Sequence, residues 1–201
     1  ALKDMFWAEA AKAGILPIQA SEGHQQGRPD LNEGRTHFSY RGGVTHIPES
    51  AAPPLVGRSF AITAQVTVPE DGARGVLVAQ GGRFGGYSLF FDRGRPAFTY
   101  NLTPAHVTRI VAGTPIAPGA HEITLQFVMA KEMASAGASM SLLVDGKPVA
   151  AGTVERTFAR VVSHTEDFDV GEDTVSPVDA SYSVAGSRFN GVLDRLDVTL
   201  K

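Results

Sequence analysis

Apolar residues along this chain follow two rhythms. Over residues 1–13, Leu2, Met5, Phe6, Ala10 and Ala13 are linked by steps of three and four, which places them on one face of a helix. Glu9 and Lys12 fall on the flanks, Ala8 and Ala11 add helix propensity, and Gly14 followed by Pro17 marks the end. From Arg58 onward the period is two. Phe60, Ile62, Ala64, Val66 and Val68 alternate with Ala61, Thr63, Gln65 and Thr67, as a half-buried strand requires. The continuous apolar run from Gly75 to Gln80 predicts a strand buried on both faces. Further strands are expected at Tyr87–Phe91, Ala97–Tyr100, Val107–Val111, His121–Met129, Ser139–Val144, Pro148–Val154 and Val192–Leu200. Asp92-Arg93-Gly94-Arg95 and Asp145-Gly146 carry hairpin chemistry, and the last strand breaks phase near Asp194-Arg195.

Between the two rhythms, residues 18–58 are rich in Gly and Pro and carry little periodic signal beyond a strand around His37–Tyr40. The expected organisation is therefore a helix over 1–17, a connecting belt over 18–57 and a β-sandwich over 58–201. About eleven or twelve short strands at regular spacing predict an all-β fold, an antiparallel two-sheet sandwich or jelly roll with one short N-terminal helix. A parallel α/β sheet would need helical crossovers, and the strand region offers no good pattern for them.

Composition narrows the chemistry. The chain has 201 residues, 43% hydrophobic and 19% charged, with 18 Lys+Arg against 21 Asp+Glu for a formal charge of −3. That balance argues against a surface built to neutralise nucleic-acid phosphates. No apolar run approaches the roughly 18–20 residues of a membrane helix, so no membrane insertion is expected. The absence of cysteine removes disulfides, thiolate metal sites and a cysteine nucleophile. It leaves the compartment of a soluble chain open between cytoplasm and periplasm. The first residues lack the basic-then-apolar order of a signal peptide, and the chain begins without Met, which suggests a mature or excised fragment.

Three stretches invite a chemical reading. Glu166-Asp167-Phe168-Asp169-Val170-Gly171-Glu172-Asp173 is acidic. Asp169, Glu172 and Asp173 are candidate calcium ligands, and the pattern loosely resembles the Glu-x-Asp-x-(x)-Glu of jelly-roll glycoside hydrolases. With Asp167 in place of the first Glu and a single Trp in the helix, the plainer reading is a solvated strand end and turn. Gly81-Gly82-Arg83-Phe84-Gly85-Gly86-Tyr87 has glycines but no Gly-Lys-Ser/Thr ending and no following helix, so it is expected to be a turn. Its Arg83, Phe84 and Tyr87 are the candidate binding residues. Asn101-Leu102-Thr103 matches a glycosylation acceptor. The six histidines have no ligand spacing, Gly-x-Ser-x-Gly is absent, and no catalytic residue is assigned.

Read end to end, the chain resembles the C-terminal domain of large bacterial arylsulfatases. The resemblance is carried by Phe6-Trp7-Ala8-Glu9-Ala10-Ala11-Lys12, Leu16-Pro17, Gly27-Arg28-Pro29, Gly34-Arg35-Thr36, Ile47-Pro48-Glu49 and Ile62-Thr63-Ala64. It continues through Val144-Asp145-Gly146-Lys147, Val154-Glu155-Arg156-Thr157, Val170–Thr174 and Ser176-Pro177-Val178. The Gly75–Leu89 run is the most specific segment, and Thr103–Thr114 and Ala130–Ala138 are the weakest. The resemblance implies a lectin-like (concanavalin or laminin-G-like) sandwich that follows the last helix of a sulfatase catalytic domain. That domain, in the same parent chain, would be its partner, and an oligomer interface is a further role it leaves open. Sulfatases of this kind use calcium and a formylglycine made within Cys/Ser-x-Pro-x-Arg. This chain has no such motif, so it should need no cofactor itself. The expected function is a non-catalytic accessory domain of an arylsulfatase that hydrolyses sulfate monoesters. The alternative is a free-standing carbohydrate-binding module.

Overall fold

The structure is a computed structural model that describes residues 2–16 and 31–201. The chain forms two compact units, residues 1–30 and 31–201. In the first, α1 spans Leu2–Lys12. It closes with a Schellman motif, in which Gly14 N–H donates to Ala11 O and Ile15 N–H to Ala10 O, both at 3.1 Å. Leu2, Met5, Phe6 and Trp7 are exposed and Ala10 is buried.

The second unit contains twelve strands: β1 (His37–Tyr40), β2 (Val44–Ile47), β3 (Phe60–Val68), β4 (Gly75–Gly82), β5 (Gly85–Asp92), β6 (Arg95–Thr103), β7 (His106–Val111), β8 (Gly119–Met129), β9 (Ala138–Val144), β10 (Lys147–Val154), β11 (Phe168–Val170) and β12 (Val192–Leu200). They form two six-stranded antiparallel sheets. The order is β1-β12-β3-β8-β9-β10 in one and β2-β11-β4-β5-β6-β7 in the other. The all-β sandwich expected from period-two patterning is what the chain forms.

Local chemistry sets the strand boundaries. Arg93-Gly94 and Asp145-Gly146 both have positive φ at the two central positions, the geometry of the tight hairpin turns that match strand twist. The phase break in β12 is a bulge. Leu193 pairs with Val66 and Arg195 with Gln65, leaving Asp194 as the extra residue, and Leu196 and Val198 return to the core face.

The belt is more integrated than expected. β1 pairs with β12, and β2 pairs with β11, so each forms the edge strand of one sheet. The sandwich unit therefore starts at Leu31 rather than residue 58, because strands from the belt extend both sheets. The belt's residues 18–30 lie outside the described residues.

Between the sheets, Ile62, Ile123, Leu125, Phe127 and Met140 of one face meet Leu77, Tyr87, Leu89, Phe98 and Phe168 of the other. Phe127 stacks on Phe60 at 4.8 Å and on Tyr100 at 5.4 Å between ring centroids. The outer faces differ. On the first sheet Thr63, Gln65, Glu122, Thr124 and Ser141 remain partly open to solvent, whereas β4 is buried along its entire length. Residues 171–191 lie across its outer face like a strap. Val178 and Tyr182 from this strap pack with Val76, Ala79, Phe90 and Ala97 in a second, smaller core.

Phe127→Ala should cost about 3–5 kcal/mol by leaving a cavity between the sheets. Val128→Ala, on the exposed face of the same strand, should change stability by no more than about 0.5 kcal/mol. Urea unfolding of the two variants checks this, and equal costs would contradict the assigned register.

Candidate functional site

The β4–β5 turn places Arg83 and Phe84 at its tip, between Gly82 and Gly85, which pair across the hairpin. Its backbone is held from two sides. Asn101 Nδ2, from β6, donates to Gly82 O at 3.2 Å and Arg83 O at 3.0 Å. Arg83 N–H donates to Ser176 Oγ of the strap at 3.1 Å. That serine in turn donates its hydroxyl to Glu166 Oε1 at 2.7 Å and its backbone N–H to Glu166 Oε2 at 3.0 Å. A Cβ on Gly82 would collide with the side-chain oxygens of Glu166 and Ser176 and would have to displace them. Phe84 is 76% exposed on this fixed base.

Tyr87 does not belong to the tip. It is buried against the inter-sheet core, where its hydroxyl donates to Gln80 Oε1 at 2.9 Å. Burial pushes its phenol well above the usual range. The cause is period-two geometry, which turns Tyr87, Leu89 and Phe91 inward while Ser88 and Phe90 face the strap.

The strap is anchored by buried carboxylates. Asp173 Oδ2 accepts from Val178 N–H at 3.1 Å and from the Tyr182 hydroxyl at 2.6 Å. Burial pushes the Asp173 carboxyl up to about 6, outweighing those hydrogen bonds, and the nearby Asp169 and Glu166 push in the same direction. Asp179 Oδ2 accepts from the Thr99 hydroxyl and lies 3.4 Å from Arg109 Nε, while its Oδ1 accepts from Ser181 N–H at 2.8 Å. Burial works to raise Asp179, but Thr99, Ser181 and Arg109 prevail and hold it below the ordinary carboxylate range. Arg109 also pairs with Asp92 at 2.9 Å and lies over the Phe90 ring at 5.3 Å.

These groups border a cleft of about 690 Å³, with Arg83 and Phe84 on one rim, Asn101, Val107 and Arg109 from β6 and β7, and Asp179 and Ser181 on the strap side. The structure thus brings two of the three predicted binding residues to one cleft. Asn101, Arg109, Asp179 and Ser181 join them through strand pairing and strap docking, which no local motif announces. Asn101 is 2% exposed and its amide nitrogen is committed, so the glycosylation acceptor is closed in the folded domain.

The acidic segment has a different role from the one expected. Asp169 is buried on β11, where its Oδ1 accepts from His46 N–H at 2.8 Å. Its Oδ2 accepts from the Thr174 N–H at 3.1 Å and hydroxyl at 2.7 Å. Glu172 pairs with Arg188 at 3.1 Å. Each of the calcium candidates Asp169, Glu172 and Asp173 is therefore engaged separately by protein donors. Among the described residues, no group of three His, Asp or Glu side chains converges as a metal site would require. Asp169 and Asp173 also correct the reading of a solvated strand end. Their carboxylates satisfy backbone N–H groups in and beside the buried strap.

No family model matches the sequence, and no curated protein matches it. Solved structures do. The CBM40 domain of Ruminococcus gnavus IT-sialidase, bound to alpha2,3 sialyllactose, aligns with a TM-score of 0.53 and 12% identity, covering 81% of this chain and 90% of that one. The binding domain of Paraclostridial Mosquitocidal Protein 1 aligns at 0.51 and 12% identity over 79% of this chain and 37% of that one. Domains LG4-5 of the mouse laminin alpha1 chain align at 0.45 and 11% identity, over 92% of this chain and 44% of that one. The fold is a jelly-roll sandwich. At such identities the likeness extends to the fold and no further, and none of these three structures is a sulfatase.

Asp173 gives the strap a pH signature. Its value in the folded chain lies above the ordinary 3.8, so its stabilising contribution is complete below about pH 4 and is lost as pH rises through about 6. Asp173→Asn keeps an acceptor for Val178 and Tyr182 but cannot ionise. Between pH 4 and 7 its stability should gain on the parent by up to about 3 kcal/mol. Urea midpoints across that range check this, and a difference that does not change with pH would contradict it.

Proposed function

We propose that this chain is a non-catalytic carbohydrate-binding domain that receives its ligand in the cleft between the Arg83–Phe84 tip and the strap. One observation carries the reading. Phe84, 76% exposed, follows Arg83 at the tip of a turn whose backbone is fixed by Asn101 and Ser176. A flat apolar ring suits the C–H face of a pyranose, and nearby Arg, Asp and Ser side chains suit its hydroxyls. The jelly-roll sandwich shared with a CBM40 domain bound to sialyllactose supports the same reading by analogy of fold.

A second reading is favoured by the Gly75–Leu89 run and concerns parentage, not ligand. In it the domain is the C-terminal accessory part of an arylsulfatase, with the sulfatase catalytic domain as its partner within one parent chain. Sugar recognition and this parentage are compatible, since an accessory sandwich can hold a glycan near a catalytic domain.

On a glycan array the intact chain should retain a defined set of oligosaccharides. Phe84→Ala should lower that retention about tenfold or more without changing the melting temperature, because the ring is exposed. Retention that is unaffected by Phe84→Ala would place any sugar site elsewhere. The parentage is tested by the coding sequence preceding residue 1. A sulfatase catalytic domain in the same frame supports it, and an unrelated frame overturns it.

A further inference from the structure

We infer that the cleft selects an acidic sugar, whose carboxylate or sulfate pairs with the Arg83 guanidinium while its ring lies against Phe84. The inference rests on the carbohydrate-binding reading and adds the chemical class of the ligand.

Charge accounting in the cleft leads to this class. Arg109 is matched by Asp92 and Asp179, and Asp92 is shared with Arg95 at 3.1 Å. Both carboxylates beside Arg109 are therefore neutralised from within the protein. Glu166, beside the turn, directs both oxygens to Ser176. Arg83 has no carboxylate partner among the described residues. Its guanidinium is thus the uncompensated charge of the site. A planar five-donor fork grips an oxyanion through two parallel hydrogen bonds, which no sugar hydroxyl can match.

A second observation concerns the floor. Asn101 Oδ1 is buried and accepts no hydrogen bond. Its orientation is fixed, because Nδ2 is engaged by Gly82 O and Arg83 O, so the amide cannot reverse without losing both bonds. That acceptor is closed to solvent, so Asn101 serves to hold the turn that carries Arg83 and does not itself meet a ligand. An unpaired cation at the rim, followed in the chain by an exposed aromatic ring on a turn held from both sides, fits a ligand that carries an oxyanion and an apolar ring face. Because the turn is already held in place, binding would require little further ordering of the backbone.

Titration calorimetry with three size-matched oligosaccharides tests the inference: a uronate oligomer, a sulfated oligomer and a neutral oligomer. The chain should bind at least one acidic oligomer about tenfold or more tightly than the neutral one, and the preferred acid identifies the oxyanion. Arg83→Gln should reduce acidic binding to the level of the neutral oligomer, whereas Phe84→Ala should weaken all binding. Neutral binding as tight as acidic binding, or acidic binding that survives Arg83→Gln, overturns the acidic class while leaving the carbohydrate reading standing. If none of the three oligomers binds, both fall.

Discussion

Strands β4, β5 and β6 are buried on both faces, so half of one sheet depends on a cover that is not itself a sheet. Residues 171–191 supply that cover, and their irregular backbone could not be buried without partners for its N–H groups. Asp169, Asp173 and Asp179 provide several of them, each accepting from a backbone N–H of the strap. The cost of burying these carboxylates is offset unevenly. Asp179 has Arg109 and Thr99 and remains readily ionised, whereas Asp173 has only neutral donors and holds its proton longer.

The candidate site follows from this arrangement. The strap presents Ser176 to the β4–β5 turn, and the residues that follow, 177–181, form one wall of the cleft. Asn101 fixes the same turn from the sheet side. A rigid tip can display a large aromatic ring to water without collapsing onto the surface, and Phe84 does so. The contrast with the other sheet is instructive. Its outer face offers Thr63, Gln65, Glu122 and Thr124, which largely satisfy one another through the Thr63–Thr124 contact at 3.3 Å and the Gln65–Glu122 bond at 2.8 Å, and it presents no exposed aromatic ring.

Most of the sandwich was legible because alternation is a direct consequence of the pleat. Phe60 to Val68 declares its faces without any tertiary information. The short strands were harder. Val44–Ile47 mixes polar and apolar residues at an edge, and Phe168–Val170 has an aspartate at its centre, so neither resembles a strand by composition. Tyr87 was misplaced for a related reason, since Gly85 and Gly86 have no side chains to carry the alternation from the turn into β5. The acidic segment was read as solvated because its burial depends on tertiary docking. His46 meets Asp169 across 123 positions, and Val178 and Tyr182, though only five and nine positions beyond Asp173, reach it as part of a strap packed on the sheet. The place of Arg83 and Phe84 at the tip was legible because glycines bracket the turn between two strands.

Backbone amide shifts recorded while an acidic oligosaccharide is added to the labelled chain test the central claim most directly, because they locate the contact as well as detect it. The account predicts perturbations concentrated at Gly82–Gly85, Asn101 and residues 178–181, with the open face around Thr63 and Thr124 unmoved. Perturbations centred on that open face, with the tip and strap unchanged, would contradict it.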